Sequence, residues 1–167
     1  MLLIIIFSCL IYSAVINTFK MKVKILSKKE FEDFIVPKID EYKDGFFISI
    51  LDPDNPDNYF PDSDNYKTVW FYDLEYELED YKIFNEDIAK ELIEFILSNK
   101  DKKACIIHCS AGVARSGAVG EFINDILGSE SWSDFKKRNP RISPNILVKT
   151  LLNKNYDSAK KRIRWWN

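Results

Sequence analysis

The chain has 167 residues, 46% of them apolar and 30% charged, a balance that fits one globular domain and excludes a largely disordered chain. Its net charge is −2, so no global basic field draws in nucleic acid. Its single histidine, His108, excludes any multi-histidine metal centre.

Residues 1–19 carry no charged side chain, and Lys20, Lys22, Lys24, Lys28 and Lys29 follow directly. A run of about 20 apolar residues is long enough to cross a bilayer. The lysines behind it would then hold the remainder on the cytoplasmic side. Two further readings stand beside an anchor: an upstream extension ahead of a start at Met21, and a signal peptide or packed element. The expected organisation is therefore an apolar segment over 1–20, one domain over 21–160 and a basic-aromatic tail over 161–167.

Val23 to Leu26 alternates with lysines, a half-buried strand pattern. Ser27 and Glu30 have the spacing of a capping box, which opens a short helix to about Val36, ahead of Pro37. Gly45 to Leu51 is a strongly apolar strand. Residues 52–66 are rich in Asp, Asn and Pro and read as a loop. Its acids Asp52, Asp54, Asp57, Asp62 and Asp64 lack the ordered ligands and turn glycine of a calcium loop and read as solvated, or as bordering a pocket.

Thr68 to Leu74 reads as another strand. Ile88, Leu92, Ile93, Phe95 and Ile96 give an amphipathic helix over 85–99. Ala104 to Ile107 is a short apolar strand running into His108 and Cys109. Helices follow over 116–127, stopped by Gly128, and over 131–138. A last helix opens with Ser143 as cap and Pro144 at its first position. Strands alternate with helices, so the fold class is α/β: a central, mainly parallel sheet of about four to five strands with helices on both faces.

Three cysteines occur, at positions 9, 105 and 109. Cys105 and Cys109 lie four apart in one strand, which separates their Cα atoms by about 13 Å. A disulfide needs less than about 7 Å, so free thiols and a reducing compartment are expected.

Cys109 ends a strand, five residues separate it from Arg115, and a helix follows. Such a loop can turn its backbone N–H groups inward around one anion, and the following helix adds the positive end of its dipole. Gly112 allows the sharp path of the loop. Arg115 supplies a planar fork for two phosphate oxygens. A thiolate at Cys109, favoured by the same positive surroundings, would face the bound phosphorus for in-line attack and a phosphocysteine intermediate. The Ser116 hydroxyl can donate to the sulfur as it leaves.

His108-Cys109-Ser110-Ala111-Gly112-Val113-Ala114-Arg115-Ser116-Gly117 resembles the complete signature of the cysteine-based protein tyrosine phosphatase superfamily. The element order over roughly residues 45–160 is also similar. The small size and the Ala114-Arg115-Ser116 ending look like the compact dual-specificity group. The chain has no Trp-Pro-Asp sequence, which sets it apart from the larger tyrosine-specific members.

The resemblance implies that Cys109 is the nucleophile and Arg115 the phosphate clamp. Ser110, Ala111, Gly112, Val113 and Ala114 would offer backbone amides, and His108 would orient the loop and tune the thiol. It implies a phosphorylated protein substrate, phosphotyrosine first, and no metal or cofactor. A general acid from an upstream loop is also implied, because the leaving oxygen needs a proton. Asp73, 36 residues before Cys109 at the end of the Thr68–Leu74 strand, is the choice, with Asp80 and Glu77 as rivals.

A phosphoinositide or RNA 5′-phosphatase is a second reading, weakened by the lack of basic residues between Ser110 and Ala114. A noncatalytic phosphopeptide-binding module is a third, weakened by intact Cys109 and Arg115.

Overall fold

The structure, a computed structural model, describes residues 21–55, 59–128 and 130–165, with side chains to residue 160. The apolar segment before Met21 and the tail side chains from Lys161 onward lie outside the described residues. Among the described residues, no helix is long and apolar enough to cross a membrane.

Four strands form one parallel sheet: β1 (Lys22–Ser27), β2 (Gly45–Leu51), β3 (Tyr66–Trp70) and β4 (Ala104–Cys109). Their spatial order is β1-β4-β2-β3, so β4 fills the slot between β1 and β2. Parallel pairing requires crossovers, and the described helices lie in two of them, between β1 and β2 and between β3 and β4, and beyond β4. These are α1 (Lys28–Phe34), α2 (Glu86–Ser98), α3 (Arg115–Leu127), α4 (Trp132–Arg138) and α5 (Ile146–Trp165), with an irregular 3-10 stretch over Val36–Glu41.

Both faces of the sheet are covered, and the period-2 alternation of the strands sorts the side chains. Cys105, Ile107 and Cys109 of β4 point into the larger core, with Phe46, Ile48 and Ile50 of β2 and the apolar faces of α2, α3 and α5. Ile106 and Phe47 point to the other face, against Phe31 of α1 and Ile35. All seven residues of β2 are buried, as a strand with neighbours on both sides and cover on both faces requires. Burying one Phe or Ile side chain contributes roughly 1.5–3 kcal/mol, so these two clusters dominate the stability of the domain.

The edge strand β1 is protected by a side chain. Asn139, 4% exposed, accepts a hydrogen bond from the Ile25 amide through Oδ1 at 3.0 Å, standing in for a neighbouring strand. Gly120 lets α3 sit down on the same strand, since a Cβ there would come within 2.7 Å of Ile25 Cδ1.

Several expected boundaries move. The capping box forms: Ser27 Oγ accepts from the Glu30 amide at 3.2 Å, and Glu30 Oε2 accepts from the Ser27 amide at 2.7 Å. Its helix closes at Phe34, and Pro37 lies inside the 3-10 stretch instead of following the helix. β3 ends at Trp70, not at Leu74, so Asp73 lies in the loop beyond the strand. The last helix is capped by Asn145, whose Oδ1 accepts from the Val148 amide at 3.0 Å, not by Ser143. The Ser143 amide is already bound to the Val113 carbonyl. Cys105 and Cys109 are free thiols.

Candidate functional site

β4 delivers Cys109 to the carboxyl end of the sheet, between the ends of β1 and β2. Ligand sites of open parallel sheets gather at this end. A groove of about 500 Å³ lies elsewhere, at the amino ends of β2 and β3 beside Phe47 and Tyr66, and holds none of the expected site residues.

Three carbonyls of the loop from Ser110 to Ala114 are drawn to partners outside it. The Ser110 carbonyl accepts from the Lys28 amide at 3.3 Å, that of Val113 from Ser143 at 3.2 Å, and that of Ala114 from Asn145 at 3.1 Å. In a trans peptide the C=O and the next N–H point to opposite sides. The amides of Ala111, Ala114 and Arg115 are therefore turned away from these outer partners, toward the inside of the loop. Among the described residues, none of them donates to a backbone carbonyl. They form a concave set of donors at the N-terminus of the 13-residue α3, whose cap, Ala114, offers no side-chain acceptor. Gly112 makes the path possible with φ +69°.

Cys109 is 2% exposed, and its Sγ lies 3.0 Å from Ser116 Oγ. Arg115, 3% exposed, is held on one side of its fork. Its Nη1 donates to Asp52 Oδ1 at 2.8 Å and to the Phe71 carbonyl at 2.7 Å. Its Nη2 donates to Ser110 Oγ at 3.0 Å. Its buried Nε–H has no partner among the described residues. A buried donor left unpaired costs about 1–3 kcal/mol, which an anion accepting from that edge would recover.

His108 lies on the opposite face of β4 from Cys109, fully buried and stacked on Phe31 with ring centroids 4.2 Å apart. Its Nε2 shares a 2.6 Å hydrogen bond with Ser49 Oγ, which is 2.6 Å from the Tyr66 hydroxyl. Burial, helped by the charge of Lys28, pushes the His108 pKa down to about 3, so the ring is neutral at pH 7. Burial likewise pushes Tyr66 up to about 12. His108 thus anchors the strand that carries the cysteine and, as a neutral imidazole, is no acid for a leaving group.

Asp73 is exposed, and its Oδ1 accepts from Asn145 Nδ2 at 2.9 Å. Asn145 in turn donates its backbone amide to the Ala114 carbonyl, so one buried residue ties Asp73 to the loop. Glu77 lines a different groove, beside Tyr81 and Phe84, and Asp80 is exposed with φ +70°. Among the described residues, no group of three or more His, Cys, Asp or Glu side chains is placed to hold a metal ion.

Two residues at the site escaped the sequence reading. Asp52 sits among the acids of its loop, and only its place directly behind the apolar β2 run marks it as a residue at a strand's carboxyl end. Asn145 stands beside the Ser143-Pro144 pair, which carries the stronger helix-start signal in sequence. Compared with models of known protein families the chain matches none, and compared with curated proteins it has no significant match.

Proposed function

We propose that the chain is a cysteine-dependent phosphatase that hydrolyses phosphomonoesters of proteins, phosphotyrosine first among them. The observation that carries the reading is the pairing of inward-turned loop amides with the unpartnered, buried Arg115 Nε–H beside a free cysteine. The arrangement sets donors suited to an anion beside a nucleophile.

In the first step the Cys109 thiolate attacks phosphorus in line. The S–P bond forms as the P–O ester bond breaks, and Asp73 gives its proton to the leaving oxygen. The loop amides and Arg115 hold the equatorial oxygens as charge spreads over them. In the second step Asp73 takes a proton from water, whose oxygen attacks phosphorus. The sulfur leaves, accepting a hydrogen bond from Ser116 Oγ across the 3.0 Å contact. A nucleophile that must stay reduced suits a cytoplasmic setting.

Hydrolysis of an aryl phosphate tests the reading. Cys109→Ser is expected to abolish turnover, and Arg115→Ala to reduce it by roughly 10²–10³-fold, the scale for removing one charge-stabilising group. Full activity in Cys109→Ser would overturn the proposal.

A further inference from the structure

Asp52 does more than neutralise an arginine. A guanidinium has five N–H donors in a rigid plane. Asp52 and the Phe71 carbonyl take both donors of Nη1, and Ser110 takes one of Nη2. The Ser110 hydroxyl, which accepts from Arg115, donates to Asp52 Oδ2 at 2.9 Å. Asp52, Arg115 and Ser110 thus close a hydrogen-bonded ring that joins the end of β2 to the first residue of the loop and the first residue of α3. Two fixed points on Nη1 and one on Nη2 set the guanidinium plane, and the Nε–H is left for a ligand.

We infer that Asp52 is the positioning residue of the anion clamp, locking the Arg115 fork so that its Nε edge is free for phosphate. The inference rests on the proposed phosphatase reading only for the nature of the anion. A simple ion pair is the competing account, and exposed pairs of that kind contribute little. This pair is not exposed on the arginine side, where the side chain is 4% accessible. A carboxylate so near an anion site also repels the anion, so charge alone would make Asp52 a hindrance there. Geometry is what it offers in return.

Two neutral variants separate charge from geometry. Asp52→Asn keeps an acceptor oxygen for Nη1 and an amide for Ser110, whereas Asp52→Ala keeps neither. Binding of inorganic phosphate, followed by calorimetry, is expected to be about tenfold weaker in Asp52→Ala than in Asp52→Asn. The kcat for an aryl phosphate should fall in the same order. Equal phosphate affinity in the two variants would overturn the positioning role. Should Asp52→Ala not fold, Asp52→Ser, too short to close the ring, takes its place.

Phosphate binding is read without turnover, so the two ideas fail separately. If phosphate binds with the expected difference but no ester is hydrolysed, the clamp stands and the hydrolase reading falls. If esters are hydrolysed but the two variants bind phosphate alike, only the clamp falls. No phosphate binding by the unaltered protein overturns both.

Discussion

Asn145 joins α5, the loop and Asp73 at once. Its Oδ1 caps α5 through the Val148 amide, its own amide secures the Ala114 carbonyl, and its Nδ2 donates to Asp73 Oδ1. The last contact leaves Asp73 Oδ2 available to carry the proton. If Asp73 is the general acid, its removal should matter most when the leaving oxygen is a poor one. Asp73→Asn is expected to lower kcat for phenyl phosphate by about 10²–10⁴-fold, the usual worth of a positioned acid. The loss should be much smaller for an ester whose phenol is acidic enough to depart unprotonated. Equal losses on both substrates, measured at saturation, would remove Asp73 from the role. Residue by residue, the grouping of Cys109, Ser110, Arg115 and Ser116 was legible because they lie in one short run. Asp52 was harder to read, since its contact with Arg115 spans 63 positions and only its place directly behind the β2 run sets it apart from the other acids of its loop.

The elements were legible where burial writes a pattern. The apolar run Gly45–Leu51 and the helix with buried Ile88, Leu92, Ile93 and Ile96 match the structure closely. Ends were harder. Ser143-Pro144 satisfies two rules for a helix start, yet the Ser143 amide is drawn to the Val113 carbonyl and Asn145 takes the cap. Where the loop meets β1, one glycine carries a constraint that only packing reveals. A Cβ on Gly112 would lie 2.5 Å from the Ser27 amide nitrogen and 2.6 Å from the Leu26 carbonyl carbon, both backbone atoms that cannot yield locally. Its φ of +69° adds strain for any other residue. Gly112→Ala is expected to cost roughly 1–3 kcal/mol of stability by the strain scale for such positions. The loop should shift away from β1, with a larger loss of phosphate affinity than of secondary structure. Urea unfolding and phosphate titration of the same variant check both parts. Unchanged affinity would mean that the loop tolerates the displacement.

For the molecule as a whole, parallel pairing puts the strand ends together, and that convergence turns four separate stretches of sequence into one site. Sequence alone indicated the class, a parallel sheet with helices on both faces. It did not indicate that β4 would be threaded between β1 and β2, and that threading is what brings Asp52 and Phe71 to Arg115. The same burial has a consequence for stability against pH. His108 is the chain's one histidine, and in the folded state its pKa is pushed down to about 3 by burial and by Lys28. Unfolded, it returns to about 6.5. Between those values the unfolded chain binds more protons than the folded one, so stability rises with pH there. The contribution of neutral His108 is fully present above about pH 6.5 and is lost progressively as pH falls below it. The limiting slope is about 1.4 kcal/mol per pH unit for one proton. Between pH 5 and 8 no other side chain has an unperturbed pKa. Urea unfolding at pH 7.5, 6.5 and 5.5 should therefore show little change over the first step and a drop of about 1 kcal/mol over the second. In His108→Gln, which starts from lower stability, the second drop should vanish. The same fall in both proteins would assign the proton uptake to another group and refute the burial of a neutral imidazole between Phe31 and Ser49.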